Sequence, residues 1–387
     1  MKILLRTLPF LLLALAMFYY PQEVLYSATN GISLWWNYIL PALFPFFIVS
    51  ELLLKQGFVS FLGVLLEPLM RPLFHLPGKA AFIIAMTHTS GIPIGAVLTC
   101  QMRKEGELTK TEGERLLAFT CNPSPGYMFG AVASGMLGNP ALGIIIVGSV
   151  YLSNFLVGIA FRFYNYTPTK KAKKPISPKN AWLELKRAQL KNKKPIGEML
   201  SEAVRNSTET ILLVGGFIVF FAIIVHLMKI LYITAAIAKI INILSLNLIP
   251  IKGASALIEG IMETTLGCKA AITAFSSLNQ VIGLLAFLLG WGGISVFAQV
   301  ASFTASTDLK ILPFIIGRTI HAFLALIISQ ILLFFSEVPA TIINIPYMAN
   351  SNPWLYSLRI SFLYFLATTS ILLMFSLFSR IIFNKTN

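Results

Sequence analysis

Gly78-Lys79-Ala80-Ala81-Phe82, running on to Thr87-His88-Thr89-Ser90-Gly91-Ile92-Pro93-Ile94-Gly95, is an apolar helix interrupted by glycine, proline and small polar residues. A second stretch has the same plan, from Gly253-Ala254-Ser255-Ala256-Leu257 to Glu263-Thr264-Thr265-Leu266-Gly267. Paired interruptions in matching halves of a hydrophobic chain point to a transport site.

Further identities support an internal duplication. Leu116-Leu117-Ala118-Phe119 recurs as Leu284-Leu285-Ala286-Phe287, and at the same offset Phe129 matches Phe297 and Val132-Ala133-Ser134 matches Val300-Ala301-Ser302. Matches at one offset across a whole span are the mark of a repeat. Each half then carries a second weak element, Asn122-Pro123-Ser124-Pro125-Gly126 in the first and Gly290-Trp291-Gly292-Gly293 in the second. Pro123 and Pro125 lack backbone donors and disfavour helix before them, so the chain from Thr120 to Gly126 is predicted to unwind. Such backbone survives at membrane depth only when buried in protein or facing water.

The expected fold is an all-α polytopic membrane protein, with two inverted repeats whose broken, hairpin-like helices meet near the bilayer midplane. Of 387 residues 56% are hydrophobic and 12% charged, and the apolar runs are too long and too many for a soluble core. Spans are predicted near residues 3–20, 34–54, 57–75, 79–101, 114–137, 140–163, 208–229, 231–249, 253–276, 278–303, 311–335 and 355–383. This divides the chain into an N-terminal helix and connection (1–33), a first repeat (34–163), a basic loop (164–207), a second repeat (208–335) and a C-terminal segment with one more helix (336–387). The opening Met1-Lys2-Ile3-Leu4-Leu5-Arg6 resembles a secretory signal, but Phe18-Tyr19-Tyr20 and Pro21 end a span at an interface, so an uncleaved first helix is expected.

The net charge of +15 is concentrated in the basic loop, in Lys170, Lys171, Lys173, Lys174, Lys179, Lys186, Arg187, Lys191 and Lys193. Such a loop is expected to be cytoplasmic, and Lys2, Arg6, Arg380 and Lys385 put both termini on that side. Its partner is the bilayer, with contact to anionic lipid left open, and not nucleic acid. Within it Trp182-Leu183-Glu184-Leu185 reads as a short interfacial helix. The loop from Arg103 to Arg115 reads as a solvated connection, with Thr109 and Glu112 at capping-box spacing.

Several chemistries are not expected. Cys100, Cys121 and Cys268 show neither metal-ligand spacing nor a disulfide framework. His75, His88, His226 and His321 form no zinc signature, no phosphate-binding glycine loop is present, and no nucleophile pairs with a base. Neither an enzyme, an ATP-driven pump, a metal nor a cofactor is implied.

The candidate binding residues cluster at the breaks: His88, Thr89, Ser90 and Gly91, then Asn122, Ser124 and Gly126, and in the second half Thr264, Thr265 and Gly267. Hydroxyls and an amide supply uncharged donors, and half-helix N-termini near Gly91 and Gly126 add positive dipole ends. His88 either titrates or serves as a neutral structural histidine. Glu51, Glu67, Glu259 and Glu263 lie within apolar spans, where ionisable groups are functional candidates. Glu259 and Glu263 share a helix face and either couple a proton or cation or hold the break by accepting backbone hydrogen bonds. Among cations near span ends, Lys269 and Arg318 are the better candidates to attract an anion, ahead of Arg71 and Lys79.

Three stretches carry a family resemblance: Ser90 to Gly95, the run Thr111-Glu112-Gly113-Glu114-Arg115-Leu116-Leu117-Ala118-Phe119-Thr120, and Gly130-Ala131-Val132-Ala133. Together they resemble the YlbJ, or SpoVV, family of sporulation integral membrane proteins, within a broader group that carries the nucleoside-recognition Gate domain and is related to concentrative nucleoside transporters. The resemblance runs from about Leu40 to Phe335. It implies a transporter working by alternating access on a small anionic or heterocyclic solute. In endospore formers that solute is dipicolinic acid, exported from the mother cell across the outer forespore membrane. Dipicolinate is a planar pyridine with two carboxylates, for which the hydroxyl and amide donors are suited and Tyr127 and Trp291 are candidate ring partners. Two other functions are compatible with the residues: an ion-coupled nucleoside transporter using Glu259 or Glu263, and a non-transporting scaffold recruiting a partner through the basic loop. Assembly as a homo-oligomer is compatible with each.

Overall fold

The computed structural model describes residues 2–166, 178–191 and 194–336, with Ser370, and among them all regular structure is helical. The span predicted at 355–383 and the C-terminal segment after residue 336 lie outside the described residues, Ser370 apart, as does the lysine cluster at 170–174. Helices α1 (Lys2–Tyr19) and α2 (Pro21–Leu34) lead through a π-helical turn, Trp35–Ile39, into α3 (Leu40–Lys55) and α4 (Phe58–Phe74). Then come α5 (Ala80–Ser90), α6 (Ile94–Lys104), α7 (Lys110–Leu117), a π-helical segment (Tyr127–Met136) and α8 (Leu142–Phe161). After α9 (Pro178–Lys191) follow α10 (Ile196–Ile230), α11 (Ile233–Leu244), α12 (Ile251–Met262), α13 (Thr264–Ile272), α14 (Leu278–Trp291), α15 (Gly293–Thr304) and α16 (Leu312–Phe335). From α3 and again from α10 the order is the same: two helices, two short arms, an interrupted pair and a long helix.

Each break has a local cause. Gly91 ends α5 with φ 81° and ψ −157°, a conformation side chains avoid, and Pro93 behind it brings no amide donor. At the matching place Glu263 is extended (φ −142°, ψ 118°) between α12 and α13. Residues 120–124 are non-helical, in keeping with Pro123 and Pro125. The second weak element is shorter than predicted: α14 continues through Gly290 and Trp291, and only Gly292 and Gly293 take positive φ, 90° and 84°. No proline interrupts the amides there, so the helix persists until glycine allows the left-handed cap.

Among the described residues, fewer continuous spans result than the eleven predicted there. Among the described residues four stretches are long and apolar enough to cross a bilayer: Leu142–Phe161, Ile196–Ile230, Leu278–Thr304 and Leu312–Phe335. Two bent pairs, Thr7–Tyr19 with Pro21–Asn37 and Leu43–Lys55 with Phe58–Phe74, raise the number to six. The predicted spans 79–101 and 253–276 are instead pairs of short arms. α11, predicted over 231–249, has 12 residues, a length of roughly 18 Å against about 30 Å of hydrocarbon. α10 starts behind Pro195, well before the predicted residue 208, because the polar run before it continues as helix. The short helix expected around Trp182 is present as α9, which packs on α4 with Ala181 fully buried.

The two halves contact each other reciprocally. α6 touches α15 while the π-helical segment touches α13, and α7 touches α16 while α8 touches α14. One core cluster joins Ala96, Cys100, Leu117 and Cys121 of the first half to Val296, Val300 and Phe314 of the second. At one end Arg103 grips Asp308 through Nε at 2.9 Å and Nη2 at 3.0 Å, which holds the Asp308 carboxyl below its usual range. Close by, the Lys310 amide donates to Glu114 at 3.0 Å.

The Arg103 to Arg115 connection is therefore not wholly solvated as expected. Thr109 and Glu112 do form the capping box, but Glu114 and Arg115 are each only 2% exposed. Arg115 donates to the carbonyls of His75, Tyr164 and Asn165, and Tyr164 Oη donates to Glu114 at 2.9 Å. Charge in the sequence marked these residues as solvated, but helix-end carbonyls in need of donors drew Arg115 inward, and the Tyr164 hydroxyl and Lys310 amide hold Glu114.

Gly95 is the tightest point of the first break. A Cβ there would lie 1.7 Å from the Thr120 carbonyl oxygen. Gly95→Val should lower stability by about 2 kcal/mol or more, while Gly216→Ala, with open space around it, should leave the melting temperature of the purified protein unchanged or higher.

Candidate functional site

Arg318, in the second turn of α16, is completely buried. Its guanidinium bridges both interruptions: Nη1 donates to Asn122 Oδ1 at 3.1 Å in the first half, and Nε and Nη2 donate to the Trp291 and Leu289 carbonyls at 3.0 and 2.9 Å in the second. Those carbonyls are the C-terminal end of α14, where the helix carries partial negative charge. Gly292 makes room for the contact, since a Cβ there would stand 3.1 Å from Arg318 Nη2.

A fourth contact fixes the state of a histidine. Arg318 Nη1 lies 3.0 Å from His321 Nδ1, and a guanidinium nitrogen only donates, so Nδ1 is the acceptor. The ring proton is then on Nε2, which donates to the Val150 carbonyl of α8 at 2.8 Å. His321 is neutral in this arrangement and links α16 to the first half.

These acceptors are all neutral. Among the described residues no carboxylate pairs with Arg318. An unpaired ion in a low-dielectric interior costs several kcal/mol even after relaxation. Neutral hydrogen bonds and a helix end recover part of that, and one Nη2 hydrogen stays uncommitted. The chemistry suited to such a place is an added anion.

The walls come from the four breaks. Gly91 lies against Ser124, whose backbone nitrogen would be 2.8 Å from a Cβ at Gly91. Thr87 Oγ1 donates to the Thr120 carbonyl at 2.9 Å and binds the first hairpin to the unwound chain. Ser124 Oγ accepts from the Tyr127 amide at 3.2 Å, and Gly126 precedes the π-helical segment that Tyr127 begins. Asn122 is fixed from its other side, its amide donating to the Phe119 carbonyl at 3.0 Å.

In the second half Gly293 faces Thr264, whose Oγ1 is buried without a hydrogen-bond partner. The buried Tyr127 hydroxyl faces Thr265 and Glu263. Gly267 allows α13 to lie against Gly260 of α12. Trp291 Nε1 donates to the Ile261 carbonyl at 3.2 Å and its ring packs 4.5 Å from that of Phe297, so its first role is to hold the second hairpin.

The other candidates fall elsewhere. His88 Nδ1 meets its own helix at the Ile84 carbonyl, 2.7 Å away, with the ring 4.5 Å from that of Tyr151. Thr89 and Ser90 end α5, and their side chains lie outside the described residues. Glu263 caps α13 by accepting from the Leu266 amide at 2.8 Å, and Glu259 pairs with Lys229 at 2.8 Å. Lys269 is exposed, apart from the buried cation. His321 was missed as a site residue; its spacing three after Arg318, within an apolar span, was the available signal.

A family model described as Gate, nucleoside recognition, matches residues 37–147. The sporulation integral membrane protein YlbJ of Bacillus subtilis (strain 168) is 39% identical over 329 residues, 84% of this chain and 81% of that protein. The chain belongs to the YlbJ family. It is an integral membrane protein of sporulation. A shorter likeness, 32% over 78 residues and 19% of the chain, links it to 17% of an uncharacterized protein of Alkalihalophilus pseudofirmus. No solved structure matches the chain.

Arg318→Lys tests the bridging geometry. One ammonium cannot reach Asn122, Leu289 and Trp291 together. Each acceptor left without a partner should cost about 1–3 kcal/mol, read as a lower melting temperature of the detergent-purified variant.

Proposed function

We propose that this YlbJ-family protein is a transporter that carries a small anionic solute by alternating access. The observation that carries the reading is Arg318, a fully buried cation without a carboxylate partner among the described residues, held where both interrupted segments meet. A fixed cation surrounded by neutral donors and acceptors would select for negative charge and discriminate strongly against its absence. The repeated element order and the reciprocal contacts between halves support two inverted repeats that rock against each other around that point.

Dipicolinic acid is the solute that best fits, exported from the mother cell across the outer forespore membrane during sporulation. Its two carboxylates would complement the guanidinium and the unpaired Thr264 hydroxyl, and its flat ring suits the aromatic neighbourhood of Trp291 and Phe297. The family placement in sporulation supports this choice. A nucleoside is the second reading, favoured by the description of the Gate model. A neutral nucleoside, however, would leave the charge of Arg318 uncompensated.

Proteoliposomes made with the purified protein should accumulate labelled dipicolinate, with pyridine dicarboxylates competing and nucleosides not. Asn122→Leu, folded by size-exclusion profile, should cut uptake at least about tenfold. Wild-type vesicles that take up nucleosides but not dipicolinate would transfer the assignment to the second reading.

A further inference from the structure

The acids in the interior are not equally committed. Glu259 is paired with Lys229, and Glu263 caps a helix. Glu51 of α3 differs. It is 8% exposed, and its Oε2 has no hydrogen-bond partner. Ser207 of α10 is 2% exposed, and its Oγ is likewise without one. Both residues line one small cleft between α3, α6 and α10, with room for little more than a single water-sized guest.

The other polar walls of the cleft are Asn206 and Thr210, and Phe47 and Leu98 close it on the apolar side. Thr210 Oγ1 donates its hydrogen to the Asn206 carbonyl at 2.9 Å, so what it offers the cleft is lone pairs. The donor set is a carboxylate, two hydroxyls and a side-chain amide. Hard cations take such oxygen ligands, and soft metals do not.

Charge around the cleft points the same way. Lys55 lies one turn beyond Glu51, but its ammonium is bound to Glu202 at 2.6 Å. The Asn206 side chain of α10 and Gln101 and Glu105 of α6 are the other groups that act on Glu51, and its Oε2 is the oxygen that stays without a partner. Glu51, Glu105 and Glu202 stand against Lys55 and Lys194, both bound to Glu202, so the balance is one negative charge, which disfavours an anion. A single carboxylate in direct reach matches one positive charge better than two.

We propose that Glu51 and Ser207, with Asn206 and Thr210, bind a sodium ion. One such ion would satisfy both unpaired oxygens and clamp α10 of the second half to α3 of the first. That is a contact between the bodies whose relative motion transport requires, so occupancy would bias which arrangement is populated. Its use as a coupling ion rests on the transporter reading above; the binding itself does not.

The test is equilibrium binding of ²²Na⁺ to the purified full-length protein, in choline buffer at constant ionic strength and pH, without any transport substrate. Saturable binding is expected. Glu51→Gln should weaken it roughly tenfold or more, because the only ligand charge is removed. Ser207→Ala, a small change in an already folded helix, should weaken it severalfold, and Lys269→Ala should not alter it. Absence of saturable binding by folded wild-type protein overturns the proposal, as does binding that Ser207→Ala and Glu51→Gln both leave unchanged. Intact sodium binding in a protein that moves no anion would sink the transporter reading and leave this site standing.

Discussion

The structure depends on one buried charge. Arg318 sits in the second turn of an apolar helix and draws to itself the carboxamide of Asn122 in the unwound segment and the terminal carbonyls of α14. Each of these groups would be an orphan at membrane depth without it, and the guanidinium would be an orphan without them. The interruptions and the arginine thus account for each other. Proline and glycine free backbone and side-chain acceptors, and the arginine collects them at the boundary between the halves.

Collection by neutral groups leaves a net charge of one. A protein selected for stability alone would do better with a carboxylate beside Arg318 or an apolar residue in its place. Glutamates are available in the interior, yet Glu259 faces Lys229 and Glu263 faces the amides of α13. Their distribution is uneven: the central cation has no carboxylate beside it among the described residues, while the acids shape helices or, at Glu51, face a small cleft between the halves. Arg318 has no exposure, so the proposed transport requires the packing around it to open.

Much of this was legible in the residues, for local reasons. The breaks at Gly91, Pro93 and residues 120–124 follow from covalent limits of glycine and proline and need no tertiary information. The membrane class follows from composition, and the family from contiguous motifs. The partners of Arg318 were not legible, because Asn122, Leu289 and His321 meet it only through the crossing of helices distant in sequence. The same holds for Glu114 and Arg115, which look solvated in a charged stretch, but Arg115 donates to backbone carbonyls from other loops and Glu114 accepts from Tyr164 and the Lys310 amide. Gly290 to Gly293 was read as longer disorder of the helix than it is, since glycine permits a break whereas proline enforces one. Among the described residues, the eleven spans that hydropathy predicts are fewer in the structure, because a polar break inside an apolar run is indistinguishable by composition from a loop between two crossings.

The central claim is that the positive charge of Arg318 is there for a negative ligand. Equilibrium binding of dipicolinate to the detergent-purified protein, measured beside a folded Arg318→Gln variant, tests it most directly. Saturable binding that weakens by at least about a hundredfold in the variant is expected, the loss of one buried charge-assisted contact being worth ~3 kcal/mol. Equal affinity in the two proteins would contradict it.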